Sequence, residues 1–201
     1  MAINLANNNS LASITALPSS VSGGAMTLIS TQTASASSTI SFTTGIDDTY
    51  DSYVFKYINI HPASVAQLTV NFRDGGSNFD ATKTSTAFNA SHNENDSGDG
   101  LVYRAAWDLA QSTSDQIIAQ ELGNGADECG SGYLQLFNPS SSVFVKHFIG
   151  VTNYYQNFGA TGSFAIHYAG YCNVTAAIDG VQFKMSSGNI DSGVIKLYGV
   201  S

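Results

Sequence analysis

The sequence predicts an all-β fold: a jelly-roll-like antiparallel β-sandwich over residues 25–201, preceded by an extended N-terminal docking arm over residues 1–24. Three observations carry this. Leu68, Val70 and Phe72 alternate with Thr69, Asn71 and Arg73, and strict alternation puts one face of a strand in a core and the other in water. Val181, Phe183 and Met185 alternate with Gln182 and Lys184 in the same way, as do Ile195 and Leu197 with Lys196. Turn-forming clusters separate such runs at intervals of about 8–12 residues, the punctuation of a sandwich or barrel. No long helix and no fixed-period repeat competes with this pattern, which excludes a propeller or solenoid. A two-sheet jelly roll is the expected winding because it manages the exposed edges of a small all-β domain.

In order along the chain, Met26–Thr33 and Ser38–Thr44 read as short Thr- and Ser-rich strands, with Ile40 and Phe42 to one side. Tyr53–Ile60 is an apolar run expected to be buried on both faces. The strand around Leu68–Arg73 is expected to be half-buried and ends at the turn Asp74-Gly75-Gly76-Ser77-Asn78. Thr82–Asn89 is a further strand. Leu101–Ala110 and Asp115–Leu122 fit a helical or a strand period, and strands with a loop between them are the preferred reading. Tyr133–Phe137, Ser142–Tyr155 and Ser163–Asn173 are strands, with Asn138-Pro139-Ser140-Ser141 as a turn. The chain closes with an expected β-hairpin over Ala177–Val200, whose loop is Ser186–Gly193. Roughly nine to eleven strands result.

At 201 residues and 43% hydrophobic content, the chain can bury roughly 70% of its unfolded surface without metal or disulfide staples. Charged residues reach only 11%, against about 25% in ordinary globular chains. Neutral Ser, Thr, Asn and Gly take their place, a surface suited to extracellular particles and subunit contacts. The net charge of −8, with Lys56, Arg73, Lys83, Arg104, Lys146, Lys184 and Lys196 scattered, excludes a nucleic-acid partner, which requires a clustered positive patch. Cys129 and Cys172 are read as two separate thiols, since two cysteines do not make a disulfide framework. No segment has the roughly 20 apolar residues of a membrane span, and residues 1–20 lack the basic and apolar regions of a secretory signal. Leu5, Leu11, Ile14 and Leu17, with Val21, give the arm apolar content that a solvated tail does not use, so they are its candidate docking residues.

The chemistry expected is sparse. The Gly-x-Ser-x-Gly, His-Glu-x-x-His and P-loop patterns are missing. His147 and His167 lie within strands between aromatics and read as structural. Asp47, Asp48 and Asp51 form one acidic cluster, and Glu94, Asp96 and Asp99 another. A glycosidase needs one buried carboxyl with a raised pKa, and both clusters lie in loops that read as solvated. Asn93, Asn95, Ser97 and Gly98 mimic the start of an EF-hand loop, but the twelfth position is Arg104 where a bidentate Glu is required. The loop therefore reads as an exposed turn, and no metal, cofactor or catalytic residue is assigned. Aromatic rings beside Asn and Asp can cover the apolar face of a sugar. Tyr154 and Tyr155, followed by Gln156-Asn157, and the loop around Trp107-Asp108 are the candidate ligand surfaces.

Thr39–Thr44 leads into Gly45-Ile46-Asp47-Asp48-Thr49-Tyr50-Asp51-Ser52-Tyr53, and the C-terminal segment carries Ser187-Gly188-Asn189, Gly193 and Leu197-Tyr198-Gly199. Together these resemble a β-sandwich module of tailed-phage virion surface proteins, in which such a strand pair opens the sandwich and such a segment closes it. Leu136-Phe137-Asn138-Pro139 and Lys146-His147-Phe148 fit the strand before it. Met1–Asn8 looks like the opening of small virion proteins of marine phages. The likeness spans most of the chain and is weakest over residues 80–130. It implies a non-enzymatic capsid decoration, head-fibre or tail-fibre component, exposed on the virion after assembly in the host cytoplasm. It further implies docking to other virion proteins through the arm, a homotrimer, and adhesion to host-surface glycans. A glycan-depolymerising enzyme and a free lectin-like protein are the alternatives.

Overall fold

A computed structural model describes residues 26–158 and 160–201. Among them are twelve β-strands and no helix. They are β1 (Thr27–Ser37), β2 (Ile40–Phe42), β3 (Ser52–Pro62), β4 (Ala66–Arg73), β5 (Lys83–Asn93), β6 (Gly100–Tyr103), β7 (Gln116–Leu122), β8 (Gly130–Phe137), β9 (Lys146–Phe158), β10 (Ala160–Cys172), β11 (Gly180–Met185) and β12 (Ile190–Val200). All pairings are antiparallel. One run of neighbours is β1-β12-β3-β8-β9-β10-β5-β6, and the other is β2-β11-β4-β7. The two meet at a single pair, Leu122 with Gln156. On the far side the amide of Gln32 in β1 donates to the carbonyl of Ser41 in β2 at 2.7 Å. The sheet thus folds over on itself and nearly closes into a barrel.

The core lies between the two runs. Phe42 and Phe183 of the short run pack on Phe55 of the long run at 5.3 and 5.7 Å between ring centroids, and Phe72 packs on Phe148 at 5.0 Å. All five rings are buried. The fold class is all-β and antiparallel, as the alternation implies, and most strands lie within a few residues of the predicted runs.

Four element-level expectations need correction. The C-terminal pair is not a hairpin: β11 bonds β2 and β4, whereas β12 bonds β1 and β3. The segment between them crosses from one layer to the other, held where Ser186 N donates to the Gln67 carbonyl and Ala63 N donates to the Asn189 carbonyl. Alternation reports which side chains are buried, and two strands in opposite layers satisfy it as well as two neighbours do. Next, β4 is buried on both faces. Its polar face holds Thr69, which donates to the Lys184 carbonyl, and Asn71, whose amide donates to Thr113 O at 3.0 Å and Asp115 Oδ1 at 2.8 Å. The apolar run in β3 is buried on both faces only through Tyr53, Val54 and Phe55, and its later residues Lys56, Ile58 and Asn59 are exposed. Within Leu101–Ala110 only the first three residues belong to a strand; the rest turns back over β5, where Leu109 N donates to Ser85 Oγ.

Glycines inside the long run carry aromatic rings from the next strand. Tyr57 is paired with Gly132, Phe148 with Gly170 and Tyr168 with Gly150, and in each pair ring atoms lie over the glycine. A ring lying over a strand glycine recovers the packing that the missing side chain forfeits. Because the rings lie along the layer, the Tyr57 hydroxyl reaches Thr152 Oγ1 at 2.6 Å and the Tyr168 hydroxyl at 3.1 Å. Burial pushes both phenols well above the ordinary tyrosine range.

Candidate functional site

Loops 93–99, 123–129 and the start of β12 form one end of the sheet, and two adjoining depressions open there. The first, about 460 Å³, is lined by residues including His92, Glu94, Asp127, Asn153, Tyr155 and Ser163. The second, about 490 Å³, is lined by Asn59, His61, Glu128, Asp191 and Ser192 among others. Asp127 and Cys129 border both. Gly-Asn-Gly at 123–125 permits the tight β7–β8 connection that raises this wall, and Glu128 folds back into it. Its carboxylate accepts from Gly125 N at 2.7 Å and from the Asn157 amide at 3.1 Å. Glu94 accepts from the Thr161 hydroxyl at 2.9 Å, the Asn153 amide donates to Ser163 Oγ at 3.0 Å, and His61 lies 3.8 Å from Asp191. Among the described residues, Asp127 is left without a side-chain hydrogen bond or ion pair. Amides, hydroxyls and a free carboxylate around an open depression of this size suit a hydroxyl-rich ligand.

Of the aromatic candidates, Tyr155 is half-buried and lines the first depression. Tyr154 is a correction: it borders the first depression, but its side chain is only 2% exposed and its ring packs 6.0 Å from Phe164, so it belongs to the core and offers no surface platform. Adjacent strand residues point to opposite faces, so Tyr154 and Tyr155 could not both be displayed. Trp107 is half-buried against the core, and the Arg104 guanidinium covers its ring at 4.7 Å from the centroid. That face is already occupied, so Trp107 is not a free platform either. Leu5, Leu11, Ile14 and Leu17 lie outside the described residues. Cys129 and Cys172 are both free, Cys129 half-buried and Cys172 fully buried. The 93–100 loop is a turn closed on itself, with Asp96 N donating to Asn93 O at 3.1 Å and Ser97 Oγ to Asn95 Oδ1 at 2.6 Å. No group of three His, Cys, Asp or Glu among the described residues is arranged to hold a metal ion. Sequence patterning missed His61, Asp127 and Asp191, which come from three separate segments and carry no shared motif.

Within the first acidic cluster, Asp47 is structural. Asp47 Oδ1 accepts from Thr49 N and from the Tyr53 hydroxyl, both at 2.9 Å. The bonds from Thr49, with that from Tyr53, hold the Asp47 carboxyl below the usual carboxylate range, the opposite of what a general acid requires. Stability from this group is present above the unfolded carboxylate pKa and lost as pH falls through the lower folded value. Asp47→Ala is expected to lower the urea midpoint by a few tenths of a molar at pH 7. The deficit should shrink on acidification to pH 3, read from denaturation curves at both pH values.

No protein-family model, curated protein or solved structure matches this chain.

Proposed function

We propose that this protein is a non-enzymatic phage virion component displayed on the particle surface as a capsid decoration, head fibre or tail-fibre part, and that its loop end adheres to host-surface glycans. One observation carries this reading: the two segments of the virion-module resemblance, far apart in sequence, meet in space. Tyr50, from the opening segment, lies over Gly199, from the closing one; a Cβ at Gly199 would fall 2.3 Å from the Tyr50 ring. Tyr53 is the residue paired with Gly199 and stacks edge-on against Tyr50 at 5.8 Å. Gly188 and Gly193 adopt φ of +72° and +126°, backbone conformations that favour glycine. The motif residues therefore have definite jobs in holding the module together. The winding supports the same reading. Pairing of β1 with β12, β12 with β3 and β3 with β8 in one layer, against β2 with β11, β11 with β4 and β4 with β7 in the other, is consistent with a jelly roll, which we propose is here extended by β9, β10, β5 and β6.

In this proposal residues 1–24 attach the protein to capsid or tail, the assembly is a homo-oligomer, and Tyr155 and Asp127 contact sugar hydroxyls and ring faces. Two measurements test it. Deleting residues 1–24 should abolish incorporation into particles, seen by imaging purified virions, while the isolated domain keeps its unfolding midpoint. On an array of host-surface polysaccharides, Tyr155→Ala and Asp127→Asn should each weaken binding about tenfold, roughly the loss of one good polar or stacking contact. Incorporation that survives the deletion would remove residues 1–24 from the attachment, and absence of the full chain from purified particles would sink the virion assignment. Turnover of the polysaccharide would replace it with the depolymerase alternative, and binding by a protein never found on particles with the free lectin.

A further inference from the structure

The free edge of the long sheet points to a partner. β6 bonds only β5, and no other described strand lies beside it. All four of its residues, Gly100-Leu101-Val102-Tyr103, are exposed, with Leu101 at 72% and Tyr103 at 59%. The pairing with β5 is Phe88 with Tyr103, Asn89 with Val102 and Ala90 with Leu101, and Arg104 N donates to the Ala87 carbonyl. Antiparallel strands alternate their bonding direction, so Gly100, Val102 and Arg104 bond inward. The N–H and C=O groups of Leu101 and Tyr103 face outward. Proteins ordinarily guard such an edge with charge, proline or a bulge; β6 has none of these.

The outer face beside this edge is apolar too. Tyr103, Phe88, His167, Val151 and Tyr133 follow one another across β6, β5, β10, β9 and β8, before Lys56 of β3 interrupts the row. Phe88 and His167 stack face to face at 4.9 Å. None of these five strands contains an Asp or Glu, although the chain carries 15 acidic residues and a net charge of −8. Beside these strands Asp99 precedes β6 and the Asp108 carboxylate accepts from the Tyr103 hydroxyl; the strands themselves present no carboxylate to a second copy, which like charge repels elsewhere.

We infer that β6 pairs antiparallel with β6 of a second copy of this chain, about a two-fold axis through Val102. Only residues that both bond outward can exchange hydrogen bonds, and this axis sets Leu101 opposite Tyr103 of the other copy, twice. Those two pairs are aliphatic–aromatic and lie on the outer face, where cross-strand contacts of this kind stabilise a sheet. Val102 lies opposite its own counterpart in a non-hydrogen-bonded pair, the closest side-chain approach an antiparallel ladder offers. The edge is self-complementary in backbone and side chain, which a two-fold contact requires. The contact is a pair, and a strictly threefold assembly has no place for it.

Light scattering across a concentration series of the full chain should show a dimer, and Leu101→Lys and Leu101→Pro should each weaken association at least tenfold with the unfolding midpoint unchanged. In a Cys129→Ser background, Val102→Cys should form a disulfide-linked dimer on mild oxidation, whereas Val143→Cys, at a 73% exposed loop position, should not. A chain that stays monomeric at about 100 μM, a trimer, or association indifferent to both Leu101 variants would overturn the inference. Amide protection of Leu101 and Tyr103 in a monomer, lost on deleting residues 1–24, would also overturn it and assign the edge to the chain's own arm.

Discussion

Gly150→Ala is expected to destabilise the protein by at least about 3 kcal/mol, the upper range for overpacking a well-filled core. A Cβ on Gly150 would sit 2.2 Å from Cζ and Oη of Tyr168 and 2.6 Å from the backbone carbonyl of Tyr133. The ring could swing away only by leaving its hydroxyl contact with Tyr57 and exposing the layer it covers. The carbonyl belongs to the β8–β9 ladder and has no such freedom. Tyr168→Leu placed on top of Gly150→Ala should therefore restore part of the loss, less than the sum of two independent defects, as coupled neighbours do. Gly76→Ala is the control: its nearest neighbour is the Asn78 nitrogen at 3.9 Å, and a change within about 0.5 kcal/mol is expected. Urea denaturation of these three variants and of Tyr168→Leu alone decides it. A Gly150→Ala protein as stable as the control would show that the glycines in these strands are incidental.

The second large effect is a pH dependence written into a buried row. Cys172 of β10 is paired with Lys83 of β5 on one side and Lys146 of β9 on the other, and none of the three is exposed to solvent. The amines donate to the carbonyls of Ser114 at 2.8 Å and Val174 at 2.9 Å. Burial pulls Lys83 down to about 8 and lowers Lys146, and it pushes the Cys172 thiol up to about 12. For Lys83 the folded pKa lies below the unfolded one near 10.4. Between those values the unfolded chain binds the extra proton, so stability rises with pH. At pH 7 both states are protonated, and burying the charge costs up to about 3 kcal/mol. Cys172 acts oppositely: above about pH 8.5 the unfolded thiol ionises while the folded one does not, and the buried tyrosines join it above about pH 10. Stability should therefore climb from pH 7.5 to about 9 and then level off and fall. Lys83→Met should flatten the climb, and Cys172→Ala should delay the fall. Chemical denaturation at intervals of half a pH unit reads both; a climb unchanged in Lys83→Met would remove this lysine from the account.

How much of this was legible beforehand follows from what alternation encodes. Val181, Phe183 and Met185 are buried as their spacing implied, and so are Leu68, Val70 and Phe72. Neighbourhood is a different property. Nothing in Val181–Met185 or Ile195–Leu197 says that these strands face each other across the core instead of bonding side by side. Burial of Thr69 and Asn71 was invisible because their partners, Lys184, Thr113 and Asp115, come from distant segments. The same holds for Tyr154: an aromatic beside Tyr155 and Asn157 resembles a display, and only the folded chain brings its ring against Phe164 in the core. Strand glycines read as weak points in a sequence, and in this fold Gly132, Gly150 and Gly170 are the footprints of neighbouring rings. The loop end was half legible, since Tyr155 was found by composition while His61, Asp127 and Asp191 converge only through folding.

The crossing of chain ends sets a timetable for synthesis. β1 has no partner but β12, and β2 none but β11, among the described strands. Thr27 and Ile40 near the start must wait for Gly199 and Phe183 near the finish. At about 5–20 residues per second a ribosome needs roughly ten to thirty seconds to deliver those partners. Meanwhile β3, β4, β7, β8, β9 and β10 can assemble with one another, but the first two strands remain open edges in a crowded cell. The native barrel closes only when the last strand arrives, so nascent chains cut short before Gly180 should be captured by chaperones with β1 and β2 still unpaired.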